Sequence, residues 1–258
     1  GVGEEKYDAS SASMIGLLKY GSGLPFHRLE KLEGSLGIPL PAATQWEIVE
    51  ESSKAMAPVY EELMREAAQG EVLHNDDTPM RILEHMGKRR EKREARGEEK
   101  PDHRSVFTTG IVSMREGHEI VLFFTGQKHA GENLEEVLRR RAADLGPPIQ
   151  MSDGLDRNQP GDFETIVANC LCHSRRKYVD VVENFPGECR HVLEVLRAVY
   201  RNDAAAKERG MTAEERLSFH QAESGPLMEG LKSWLPAQIA ARKVEPTSGL
   251  GEAIGYML

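Results

Sequence analysis

Residues 71–83, EVLHNDDTPMRIL, decide the reading of the fold. Val72 and Leu73 open an apolar stretch that reads as a strand leaving the core, and Asp76 and Asp77 follow it just before Thr78-Pro79. A second short run, PPIQMSDGL at 147–155, has the same form: a strand that ends on an acid, Asp153. Carboxylates at neighbouring strand ends can face one cleft, which is how magnesium or manganese is held, since these hard cations take oxygen ligands and keep several waters. Two such ions can activate an attacking oxygen and stabilise a leaving one in phosphoryl transfer. Asp-Gly and Asp-Thr-Pro are also ordinary turn signals, so spacing by itself leaves both readings open.

Outward from 71–83, SVFTTGIVSM (105–114) and HEIVLFFT (118–125) are β-rich and joined by Arg115-Glu116-Gly117, which predicts a hairpin. AGENLEEVLRRRAADLG (130–146) predicts a helix stopped by Gly146-Pro147-Pro148. FETIVANCLCH (163–173) is expected to start as a helix and end in a short strand, with SRRKYVDVVENF (174–185) helical again. From Gly187 to about Lys243 the pattern is helical, with breaks expected at Gly210, Gly225-Pro226 and Pro236. Upstream, residues 8–69 read as helices. SASMIGLLKY is ended by Gly21, Gly23 and Pro25, Leu29, Leu32 and Leu36 share one face of the next helix, and a long helix runs from Ala42 to Gln69 with a kink expected at Pro58. This order predicts an α/β fold with a mixed sheet and helical additions at both ends.

The 258 residues contain no apolar run long enough for a membrane helix, and GVGEEKYDASSAS at the start lacks a signal peptide's apolar stretch, so a cytoplasmic protein without a membrane partner is expected. Three cysteines do not make a disulfide framework. The net charge of −9 argues against tight stand-alone DNA binding, because phosphate recognition normally shows as basic surface. The basic residues are nevertheless clustered, at 88–100 (KRREKREARGEEK), 139–141 and 175–177. The first cluster, within a charged segment at 86–104, reads as a solvated loop. Arg139, Arg140 and Arg141 suit the end of a helix dipole.

Two rival sites arise. Cys170, Cys172, His173, Cys189 and His191 invite zinc, but the spacing is not standard, and buried apolar cysteines are the simpler account. Residues 26–49 have the rhythm of a helix-turn-helix, yet the second helix, ATQWEIVEESS, carries three glutamates and no base. Packing is the better account there, with Trp46 in a core or interface.

The run from Leu17 to Leu83 resembles the transposases of the insertion-sequence 66 family. It carries Lys19-Tyr20, Leu24-Pro25 with Arg28, a Gly37-Ile38 turn, the Trp46 helix and Asp76-Asp77-Thr78-Pro79. Thr125-Gly126, Gly131-Glu132, Ser152-Asp153-Gly154, the run from Cys170 to Lys177, Glu223 to Leu227 and Ser248 to Gly251 also fit, so the resemblance covers nearly the whole chain. It implies a ribonuclease-H-like mixed sheet with N-terminal helices (1–69), a catalytic core (70–180) and a C-terminal all-helical insertion with the start of a final part (181–258). It further implies a DDE-type transposase that cuts DNA at transposon ends and joins the freed 3′ hydroxyl to target DNA, using magnesium or manganese (Mg2+ or Mn2+) and working as a homo-oligomer at full length. On that alignment Asp76 is the first catalytic acid and metal ligand, Asp77 holds a variable place, and Asp153 is the second acid. His173, Arg175, Arg176 and Lys177 lie near the acids, on DNA phosphate or orienting a carboxylate.

The third acid would be a glutamate in an Asn-Asn-x-x-Glu-Arg setting, which the sequence lacks. The chain is therefore expected to stop short of it and to be inactive alone, with Glu252 the nearest stand-in but more simply a solvent-facing helix residue. Cys172 stands where alanine is common, and the hairpin strand lacks an expected tryptophan. The alternatives are a ribonuclease-H-like nuclease and a non-catalytic DNA-associated module of a decayed element.

Overall fold

A computed structural model describes residues 7–82, 86, 89, 91, 94–97 and 105–258. The chain divides into two compact units, Gly1–Gln69 and Gly70–Leu258. Most of the charged segment 86–104 lies outside the described residues.

The first unit is helical. Asp8 caps α1 (Ala9–Gly16) by accepting from the Ser11 amide, and α1 continues as a π-helical turn at Leu17–Gly21. Helices α2 (Phe26–Ser35) and α3 (Ala42–Ala67) follow, with α1 and α2 packed on α3. Pro58 sits inside α3 without ending it. Of the neighbours Gln45 and Trp46, the buried one is Gln45. The Gln45 amide nitrogen donates to Glu33 Oε2 at 2.8 Å and to the Leu40 carbonyl at 2.9 Å. Trp46 is 51% exposed and meets the Phe26 ring edge-on. Of the core-or-interface expectation for Trp46, the core half is thus corrected.

The second unit is built on five strands: β1 (Val72–Arg81), β2 (Ser105–Arg115), β3 (His118–Gly126), β4 (Ile149–Ser152) and β5 (Ile166–Asn169). Their order is β3-β2-β1-β4-β5. β1 pairs antiparallel with β2 and parallel with β4, β2 pairs antiparallel with β3, and β4 pairs parallel with β5. The sheet is mixed, as expected for an α/β fold. Arg115 pairs with His118, so the hairpin closes over Glu116 and Gly117, both at positive φ (50° and 78°). That is the two-residue turn whose twist suits an antiparallel pair.

The short strand expected within 163–173 is β5, but no helix precedes it at 163–165. Ile166 and Val167 extend β4 instead, and the helix starts only at Leu171. The β-branched pair gains a ladder that a helix-periodicity argument does not see.

One face of the sheet packs on α4 (Ala130–Leu138). Leu73, Thr109, Ile111 and Leu122 from the strands and Leu134, Val137 and Leu138 from the helix are buried there. The helix stops at Leu138, and Arg141 folds back to donate to the carbonyls of Gly70 (2.8 Å) and Gly146 (2.8 Å). Burial pushes the Arg141 guanidinium pKa down.

The remainder is helical: α5 (Leu171–Asp180), α6 (Pro186–Glu208), α7 (Ala213–Glu223), α8 (Gly225–Ala240) and α9 (Gly249–Met257). All but α7 contribute to a core around Tyr178, Leu196, Leu235, Leu250 and Ile254. Gly210 at positive φ separates α6 from α7, and Pro226 occupies the first turn of α8, where its missing N–H costs nothing. Pro236 lies within α8, so the break expected there is absent. No helix among the described residues is long and apolar enough to cross a membrane.

Gly131, in the first turn of α4, abuts backbone. A Cβ there would meet the Arg157 carbonyl at 2.7 Å and the Gln159 carbonyl carbon at 2.8 Å. Backbone cannot yield as a flexible side chain can, so Gly131→Ala should destabilise by on the order of 3 kcal/mol. A denaturant-midpoint comparison checks this, and an unshifted midpoint contradicts the close approach.

Candidate functional site

The parallel pairing of β1 and β4 ends at His74 opposite Met151. Asp76 and Asp153 each lie two residues further along, Asp76 within β1 and Asp153 just past the end of β4. Both line one cleft of about 310 Å³, floored by His74, Met151 and Ser152 and walled by Val121 and Phe123 of β3. Asp76 is not at a strand end as the sequence suggested, because β1 runs on to Arg81. What ends there is the parallel partner, and its end leaves Asp76 exposed. Gly110 faces Asp76 across β2 and also lines the cleft, so no side chain crowds the acid from that side.

Asp153 is held by its own loop. Its Oδ1 accepts from the Leu155 amide at 3.2 Å and from the Asn158 side-chain amide. Asn158 is fixed from beneath. Its carbonyl accepts from the Asn75 side chain at 2.9 Å and the Gln150 side chain at 2.7 Å, and Gln150 also donates to Asn75 Oδ1 at 2.9 Å. Thr165 closes the chain by donating to Gln150 Oε1 at 2.8 Å. Asn75, Gln150 and Asn158 are all buried, so these bonds replace water that the groups have lost. The result is a rigid polar layer on the sheet face opposite Asp76, anchoring the turn that carries Asp153.

Asp77 points the other way. Its side chain is 1% exposed and accepts from Thr109 Oγ1 at 2.6 Å and from the Ala130 amide at 2.9 Å, with His129 Nδ1 at 3.3 Å. A carboxylate on the first free amide of α4 suits the positive end of the helix dipole. Asn133 extends the group by donating to Thr109 Oγ1 at 2.8 Å. Asp77 thus fastens β1, β2 and α4 together and has no access to the cleft acids.

The four residues expected near DNA separate. His173 lines the cleft, with its Nδ1 buried and without a hydrogen-bond partner among the described residues. Arg175 lines a different groove, facing α6. Arg176 is exposed, and the Lys177 ammonium lies 5.2 Å from the centre of the Tyr256 ring.

Tyr256 is the residue that sequence reasoning missed. Its hydroxyl accepts from the Gly154 amide at 3.1 Å, next to Asp153. Burial pushes the phenol pKa up, and the carboxylates of Asp153 and Asp76 add to the rise. Nothing local in GEAIGYML marks it, because the contact spans 102 residues of sequence. Glu252 is exposed in the first turn of α9 and does not line the cleft.

The zinc candidates are dispersed. Cys172 Sγ meets the Tyr200 hydroxyl at 3.2 Å, Cys189 is buried among the helices, and His191 stacks on Trp234 at 4.4 Å. Among the described residues, no group of three or more His, Cys, Asp or Glu side chains could hold a metal ion.

The fold and cleft define an α/β protein with two carboxylates presented side by side at the open end of a parallel strand pair. The family model described as "Transposase IS66 family" matches residues 6–258. The chain belongs to that family. It is also similar, at 36% identity over 93 residues, to the uncharacterized protein y4jD of Sinorhizobium fredii. That stretch is 36% of this chain and 17% of the relative, so the chain covers only a small part of that protein's length. No solved structure matches the chain.

The adjacent acids should respond oppositely to substitution. Asp77→Ala strands two buried donors and should lower stability by roughly 3 kcal/mol. Asp76→Asn should change it by no more than about 0.5 kcal/mol, as at other exposed positions. Urea melts of the two variants test this, and equal losses would contradict the opposed faces.

Proposed function

We propose that this chain is the metal-binding core of a transposase that cleaves DNA at transposon ends and transfers the strand, with Asp76 and Asp153 as two ligands of magnesium or manganese. The observation that carries the proposal is that these two carboxylates line one cleft beside the paired strands β1 and β4. The ribonuclease-H-like reading of the fold is supported by the strand order and by β2 running against the other four strands.

The donor set fits a hard cation in part. Each acid has one carboxylate oxygen, Oδ2, with no hydrogen-bond donor among the described residues, and neither acid is ion-paired there. Magnesium is ordinarily held by one or two carboxylates, with waters and substrate phosphate completing the shell. When bound, such an ion supplies charge stabilisation for the phosphate undergoing displacement.

The chain's own residues then have distinct tasks. Asp153 is oriented by Leu155 and Asn158, and Tyr256 holds the Gly154 amide beside it. His173 lines the same cleft, where an imidazole N–H can donate to a phosphate oxygen. Val121 and Phe123 form an apolar wall on one side. A third carboxylate does not join the pair among the described residues. The 258-residue chain should therefore hold the ion weakly and not cut DNA by itself.

Calorimetric titration with manganese tests the reading. The unaltered chain should bind weakly, Asp76→Asn and Asp153→Asn should each weaken binding by about tenfold or more, and Asp77→Asn should leave it nearly unchanged wherever the variant folds. Binding indifferent to Asp76 and Asp153 would remove the metal site. Strand transfer by this chain on matched transposon ends would contradict the expectation that it is inactive alone.

A further inference from the structure

A second groove, of about 600 Å³, lies between α5 and α6, and its polar lining is strongly basic. Arg175 projects from α5, while Arg197 and Arg201 stand one turn apart on α6, with Leu193, Tyr200 and Ala204 on the same stripe. No acid lines it. The acids of α6 that make ion pairs are engaged by other bases: Glu194 by Arg190 at 2.9 Å, and Asp203 by Lys207 at 2.9 Å and by Arg216. Among the described residues none of the three groove arginines makes an ion pair, so their charge is directed outward. In a chain of net charge −9 that is a local reversal of sign.

We propose that this groove binds the sugar-phosphate backbone of DNA, with Arg175, Arg197 and Arg201 on phosphate oxygens. The guanidinium fork matches phosphate in two parallel hydrogen bonds, and the apolar stems and Leu193 suit deoxyribose. The groove adjoins the acidic cleft through the start of α5. His173 lines the cleft and Arg175, two residues on in α5, lines the groove, and Cys172 Sγ meets the hydroxyl of the groove residue Tyr200 at 3.2 Å. A strand seated on the arginines would therefore pass the α5 start on its way to Asp76 and Asp153. The inference rests on the DNA-processing reading of that cleft, to which it adds α6 as a phosphate-holding wall that the sequence did not mark.

The test is fluorescence anisotropy of a labelled DNA duplex against the whole chain over a range of salt. Each neutralised phosphate contributes about 0.9 to the slope of log affinity on log salt. Arg197→Ala/Arg201→Ala should reduce that slope by about 2 and the low-salt affinity by about tenfold or more. Arg197→Lys/Arg201→Lys should keep most of the slope, and thermal melts of both variants establish that they fold. An alanine double variant that binds as the original does would overturn the proposal. So would tighter binding of single-stranded RNA of equal length, or no DNA binding by the original chain. Manganese titration of the same preparation keeps the two readings apart. Arginine-dependent DNA binding without manganese binding sinks only the metal site, and manganese binding with arginine-independent DNA affinity sinks only the groove.

Discussion

Successive side chains on an extended strand point to opposite faces of the sheet, and in β1 that rule acts on two neighbouring carboxylates. Leu73, Asn75 and the Asp77 side chain turn toward α4, while His74 and Asp76 turn toward the cleft. One residue of slippage would exchange the two acids and bury Asp76 where Asp77 now meets the Thr109 hydroxyl and the Ala130 amide. The pairing of β1 with β2 along its whole length, from Val72 with Met114 to Arg81 with Ser105, prevents it. The cleft is built on that register, because β4 joins β1 on its other side and Asp153 follows just past the end of β4.

The second acid depends on a buried polar layer rather than on an apolar one. Asn75, Gln150 and Asn158 are each out of water, and a lone member would cost about 1–3 kcal/mol in lost solvation. Bonded to one another they fix the turn at 156–158, and that turn also receives the bare backbone of Gly131. The scaffold behind Asp153 is thereby coupled to the start of α4, which Asp77 also grips. The stability of the sheet and the aim of the cleft acids share the same contacts.

Much of this could be read from residues. HNDDTP and MSDG each follow short apolar runs, and those runs are strands, so the acids could be placed beside a sheet. The hairpin was legible because Glu116-Gly117 can take positive φ at both turn positions. Pro236 misled in the other direction, since α8 continues through it, while α3 runs through Pro58 as the sequence reading had it. A short strand in 163–173 was legible, but its start at Ile166 in place of a helix was not, because Ile166 and Val167 gain from β4, a partner fixed only in three dimensions. Asp77 read as a companion of Asp76, whereas the alternation of the strand gives it a structural task. Tyr256 and the pair Arg197 and Arg201 had no local signal, because their importance lies in what the fold places next to them.

The central claim is that Asp76 and Asp153, and not Asp77, form the ion-binding pair. The most direct measurement is an anomalous difference map from a crystal of this chain soaked in manganese. The account predicts a peak between the carboxylates of Asp76 and Asp153, within the cleft that His173 also lines. A peak at Asp77 and His129, or none at the cleft when the ion is in excess, would contradict it.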